Sequence, residues 1–185
     1  MKLQFVEQKT SELLADFCCG IKEMDEFIHE SLDTAIQQHP CRLFVVKNDY
    51  GNVVAMFVIC EGHLIDCNDI FEDKPCYGEP FAVLDDRGRL ATRVRYSTLE
   101  IEYLAVKEDL RNMHIGKVII QNLVDLARRQ KSDFITVDAY FNETYSAVPF
   151  YEKVGFIPVE SIKEGSDTLR MVLYVECNCN MPSLA

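Results

Sequence analysis

The stretch Leu99–Arg129 limits what this chain can fold into more than any other. Leu99-Glu-Ile-Glu-Tyr-Leu-Ala-Val106 has the length and apolar content of a largely buried strand. From Gly116 the apolar residues of Val118-Ile-Ile-Gln-Asn-Leu-Val return at helical spacing, and the pattern runs to Arg129. Phe134-Ile-Thr-Val-Asp-Ala-Tyr140 is a strand again. Strand, helix and strand in close succession make a β-α-β unit, which requires parallel strands joined by a right-handed crossover.

Around this unit the chain reads as antiparallel pairs with helices between them. Lys2–Val6 alternates as a half-buried strand, Thr10–Ala15 opens a short capped helix, and Ile21–Ile36 repeats apolar residues at three and four, as one amphipathic helix ending by Pro40. Arg42–Lys47 and Val53–Cys60 flank Asn48-Asp-Tyr-Gly-Asn52, a turn that tolerates positive φ, and so form a hairpin. Thr144–Val154 is a helix stopped by Gly155, and Phe156–Glu160 pairs with Thr168–Val175 to close the sheet. The expected fold is therefore α/β (α+β), a mixed and mostly antiparallel central sheet of about six to seven strands with flanking helices. One domain is expected over residues 1–175, with His63–Arg95 as a long irregular insertion and residues 176–185 as a tail.

Thirty acidic residues against 19 Lys and Arg give a net charge of -11, which repels polyanions and favours cationic substrates. Nucleic acid is thus not expected as a partner, and Arg87, Arg89, Arg93 and Arg95 read as a solvated loop or strand edge. No run approaches the ~20 apolar residues that span a bilayer and no secretion signal opens the chain, so the expectation is a cytoplasmic protein without a membrane contact. In a reducing compartment the eight cysteines are expected to be free thiols, and none of their spacings is a zinc pattern, so no metal is expected.

Alternation along the first strand puts Glu100 and Glu102 on one face with Leu104 and Val106. Ionised carboxylates are rarely buried unpaired, so that face is expected to open onto a wet cleft. The junction Leu110–Lys117 follows. Its helix begins with backbone N–H groups that lack intrahelical partners, the helix dipole adds positive potential, Arg111 and Lys117 add charge, and Gly116 permits close approach. These features suit a phosphorylated cofactor.

Leu104-Ala-Val106 followed by Arg111-Asn-Met-His114-Ile-Gly116 resembles the cofactor motif of the GCN5-related N-acetyltransferase (GNAT) family, Arg or Gln-x-x-Gly-x-Gly or Ala, with His114 at the first glycine. Ala147-Val-Pro-Phe150-Tyr151-Glu-Lys-Val-Gly155-Phe156 resembles its A-x-x-F-Y-x-x-x-G-F segment. The resemblance implies that acetyl-CoA lies between the strands Leu99–Val106 and Phe134–Tyr140. Its pantetheine would pair with the backbone of Leu104, Ala105 and Val106, and its diphosphate would rest on Arg111, Asn112, Met113, His114, Ile115, Gly116 and Lys117. Asn142 would hold pantetheine amides, Tyr151 would protonate the departing thiolate, and Glu100 or Glu102 would act as general base toward a directly attacking primary amine. The expected acceptor is a small-molecule or peptidyl amine, and a homodimer is allowed. Phe17-Cys-Cys-Gly20-Ile-Lys-Glu-Met24-Asp-Glu-Phe27 also resembles the opening of the toxin branch of the family, which acetylates aminoacyl-tRNA. That acceptor, and a non-catalytic CoA sensor, are the alternatives.

Overall fold

The computed structural model describes residues 2–65, 78–159 and 165–176. In chain order the elements are β1 (Gln4–Gln8), α1 (Lys22–Glu30), α2 (Leu32–Gln38), β2 (Arg42–Lys47), β3 (Val53–Ile65), β4 (Glu79–Leu84), β5 (Leu90–Val106), α3 (Ile115–Gln130), β6 (Phe134–Tyr140), α4 (Val148–Lys153), β7 (Ile157–Pro158) and β8 (Thr168–Tyr174). The chain divides into two compact units: Met1–Glu61 with Glu100–Asn122, and Gly62–Leu99 with Leu123–Ala185. β5 runs through both. Among the described residues no helix is long and apolar enough to cross a membrane.

In the first unit the strand order is β1-β2-β3-β5. Leu43 and Val45 of β2, Met56 and Val58 of β3 and Ala105 of β5 turn one face toward Ile28, Leu32, Leu14, Phe17 and Cys19. The helix expected over residues 21–36 is broken at Ser31, whose φ of -124° leaves the helical region. Its N–H still donates to the Phe27 carbonyl, and its own carbonyl accepts from Ala35, so the apolar stripe carries on across the break.

Cys41 and Cys60 form a disulfide with Cα atoms 4.5 Å apart, contrary to the expectation of free thiols throughout. Strand register is the reason. Arg42 pairs with Ile59, so the next positions outward bring the two cysteines face to face. Cys18 and Cys19 are free, as expected.

In the second unit the order is β5-β6-β8-β7, with β4 on β5. β5 and β6, joined through α3, are the parallel pair expected of the β-α-β unit; β4–β5, β6–β8 and β7–β8 are antiparallel. β6 is buried along most of its length, which is why its sequence is mostly apolar, with Thr136 buried and Asp138 turned to solvent. Phe134 is wholly buried, with Tyr96 and Tyr174 edge-on at 5.6 and 5.9 Å.

The stretch taken for an irregular insertion is different. β3 extends to Ile65, and β4 and β5 form a hairpin pairing Glu79 with Arg95 through Leu84 with Leu90. Its turn is held by the Asp85 carboxylate, which accepts from the backbone N–H groups of Arg87 and Arg89 and from the Arg89 guanidinium. Few residues of this hairpin are buried on either face, so apolar alternation never develops and the strands escape a periodicity search. Residues 66–77 of that stretch, and the tail beyond Glu176, lie outside the described residues.

Candidate active site

Between β5 and α3 the chain makes a short 3-10 turn at Glu108–Leu110 and then adopts positive φ at Asn112 (64°) and His114 (61°). Asn and His are among the few residues that tolerate this region without glycine's freedom. The His114 carbonyl accepts the first helical bond, from Val118 at 3.1 Å. The first turn of α3, beginning with Ile115, buried Gly116 and exposed Lys117, contains no acidic residue. A helix start with free N–H groups and an uncompensated positive pole fits an anion such as a diphosphate.

His114 stands at the glycine of the family motif and has the left-handed backbone that glycine adopts freely, and that gives a prediction. His114→Gly removes the left-handed strain but adds freedom to the unfolded chain, so stability should stay within about 1 kcal/mol in denaturant titrations. Calorimetry should find CoA bound no more weakly; a large loss would make the imidazole a ligand. His114→Val, β-branched at positive φ, should cost about 1–2 kcal/mol.

Arg111 was expected on the cofactor's diphosphate. Its guanidinium donates to the Cys19 carbonyl oxygen, tying this loop to the segment before α1. The Glu108 N–H donates to the Cys18 carbonyl at 3.1 Å in the same way. On the other side of that segment the Asp25 carboxylate accepts from the N–H groups of Cys19 (2.7 Å) and Gly20 (3.0 Å) and from the Cys18 thiol (3.1 Å). Burial pushes the Asp25 carboxyl up, but these donors outweigh it and hold it below the usual carboxylate range. Gly20 has φ +76°, the left-handed region that favours glycine; a Cβ there would also meet the carboxyl end of the exposed Glu108 side chain, which would have to move aside. Phe27 stacks on Tyr103 of β5 at 4.3 Å. Sequence reasoning missed Asp25; its signal was a carboxylate in the first turn of α1, just after a glycine.

On β5, Ala105 is buried, and Glu100, Leu104 and Val106 are half-buried. The exposed Glu102 has its carboxylate within 4.8 Å of the sulfurs of Cys41 and Cys60. Cys41 packs on the same core as Phe27 and Tyr103. Two successive residues, Glu102 and Tyr103, therefore reach one side of the sheet, which regular alternation forbids and a bulge permits. The simple sharing of a face by Glu102, Leu104 and Val106 does not hold at this point. Burial, with the Glu102 charge adding to it, pushes the Tyr103 phenol up.

In the second unit Tyr151 lies in α4, buried, with the rings of Phe150 and Phe156 at 5.0 and 5.2 Å. Burial, with Tyr145 adding to it, raises the phenol well above its usual range, so it stays protonated at neutral pH. Asn142, expected to hold pantetheine amides, uses its side chain locally. Its oxygen accepts from Thr144 and Tyr145 and its NH2 donates to the Tyr140 hydroxyl. This turn also takes residues 144 and 145 out of the predicted helix, which begins only at Val148.

A sequence model of the family described as Acetyltransferase (GNAT) matches residues 8–156. No curated protein matches the chain. Among solved structures, one described as a bacterial toxin is similar at 11% identity and a TM-score of 0.67, covering 94% of this chain and 91% of that one. A mutant AtaT toxin bound to the C-terminus of the antitoxin AtaR and acetyl-CoA is similar at 16% identity and TM-score 0.59, over 94% and 93% of the two chains. AtaT complexed with acetyl-methionyl-tRNAfMet is similar at 16% and 0.60, over 91% and 94%. These likenesses correct the expectation about partners, because a protein of this fold, AtaT, is seen with tRNA and with an antitoxin. Net charge sums over a whole surface, whereas a polyanion responds to the potential within about 10 Å of where it lands.

Proposed function

Since the chain belongs to the GNAT acetyltransferase family, we propose that it transfers the acetyl group of acetyl-CoA to the α-amine of an aminoacyl-tRNA. The observation that carries the acceptor is the segment Phe17–Phe27. It resembles the opening of the family's toxin branch, and it is bonded to the cofactor loop through Arg111 to Cys19 and Glu108 to Cys18. The likeness in fold to AtaT solved with acetyl-methionyl-tRNAfMet supports the same reading.

The residues present fit the cofactor. The start of α3, at Ile115, Gly116 and Lys117, would hold the diphosphate, with Asn112, Met113 and His114 shaping the loop and Arg111 bracing it. The backbone of Leu104, Ala105 and Val106 would pair with the pantetheine, and the thioester supplies the activated acyl group. Tyr151 holds a proton for the departing thiolate, and Glu102 or Glu100 accepts the proton of the attacking amine.

The arginines of the β4–β5 hairpin, Arg87, Arg89, Arg93 and Arg95, concentrate positive charge and suit phosphate contacts. Arg89 is paired with Asp85 and Arg95 with Glu79, but exposed pairs like these are worth only about 0–1 kcal/mol, so a phosphate exchanges with them readily.

The test offers labelled acetyl-CoA to the purified protein with aminoacyl-tRNA, uncharged tRNA, polyamines, amino acids and peptides. Label should enter aminoacyl-tRNA, in its aminoacyl group. Label in polyamines or peptides with none in tRNA would overturn this acceptor and return the acidic surface to its simplest role, attracting a cationic amine. CoA binding without transfer to any of them would leave a sensor.

A further inference from the structure

We propose that Cys41 and Cys60 are a reversible thiol–disulfide site whose redox state is coupled to Glu102. Cys41 lies just before β2 and Cys60 lies in β3, where the register sets them across from one another with Cα atoms 4.5 Å apart. That separation is typical of a non-hydrogen-bonded antiparallel pair, where side chains are closest. The strands, not the covalent bond, hold the sulfurs together, so the pair opens and closes without backbone rearrangement.

The third member is Glu102, whose carboxylate lies within 4.8 Å of both sulfurs. An ionised carboxylate only accepts hydrogen bonds. The reduced pair presents S–H donors to it; the disulfide presents none. The carboxylate therefore favours the dithiol, and by reciprocity the dithiol draws on the carboxylate and weakens it as a base.

The reaction balances with a low-molecular-weight thiol such as glutathione as reductant. Cys60 is 8% exposed and Cys41 is the more open of the two, so a glutathione thiolate attacks the Cys41 Sγ. The Cys41–Cys60 bond breaks, Cys60 leaves as a thiolate and takes up a proton, and Cys41 is left in a mixed disulfide. A second glutathione thiolate attacks the glutathione sulfur of that bond, releasing Cys41 as a thiol and glutathione disulfide. Two electrons pass from two glutathiones to the protein; oxidation is the reverse.

The effect on activity rests on the reading of Glu102 as base; the effect on redox equilibrium does not. The full chain is equilibrated in graded glutathione buffers, quenched with a maleimide and mapped at Cys41 and Cys60. A single transition is expected, and Glu102→Gln, at an exposed position, should move its midpoint about tenfold in the glutathione ratio toward the disulfide. A pair that never titrates, or coincident midpoints for wild type and variant, would overturn the proposal. Acetyl transfer should run severalfold slower in the reduced protein, with the difference lost in Glu102→Gln. If Glu102→Gln moves the midpoint and leaves transfer untouched, the redox site stands and Glu102 is not the base. If it slows transfer with no shift in midpoint, the coupling is refuted and the base remains.

Discussion

Tyr151→Phe lowers acetyl transfer by about 10²-fold or more while leaving the fold intact, because loss of a general acid typically costs 10²–10⁴ in rate. The ring keeps its place beside Phe150 and Phe156, and only the hydroxyl is lost, so denaturant midpoints should shift by no more than about 1 kcal/mol. Release of CoA thiol measures the rate, and CoA affinity measured beside it separates proton donation from binding. Since burial holds the phenol above its ordinary 10, the wild-type rate should not fall through ionisation of Tyr151 up to that pH. If the protein acetylates charged tRNA, its expression should arrest growth and the variant should relieve the arrest. An unchanged rate in the variant would confine Tyr151 to packing.

Asp25→Asn costs about 2 kcal/mol at neutral pH, since a carboxylate accepting from two backbone N–H groups and a thiol loses its charge and part of its acceptor set. The figure is at the modest end because the site is only half-buried. The sign with pH follows from the lowered pKa. Asp25 contributes its full stability above the unfolded value of about 3.9 and loses it as pH falls through the lower folded value, so wild type and variant converge in acid. Urea midpoints at pH 7 and near pH 3 check this. A second readout is local: the Asp25 bond holds the exposed Cys18 thiol above its usual pKa, so Asp25→Asn should speed alkylation of Cys18. Equal stability at every pH would show that backbone geometry alone holds the segment.

What the sequence disclosed tracks where burial imposes a period. β2 and β6 lie at their expected limits, and α3 differs by one residue at each end, because each carries a sustained apolar stripe. The β4–β5 hairpin was illegible because it buries little of either face. The Cys41–Cys60 bridge was illegible because it depends on register, which links residues by position across a hairpin and leaves no local mark. At the site, motifs singled out the loop Arg111–Gly116 and Tyr151 as candidates. The local bonds of Arg111 and Asn142 could not be read, since a guanidinium or an amide written in a motif does not say which groups of its own chain it meets.

The left-handed turns at Asn112 and His114 bear on how such proteins diverge. At position 114 the family motif writes glycine, and what this loop shows there is a left-handed dihedral, for which glycine is one spelling. Asn and His spell the same angles with side chains attached, each a new handle on which selection can act. A glycine-keyed search will therefore undercount this loop, and its departures from the fingerprint are places to look for altered cofactor preference before lost activity.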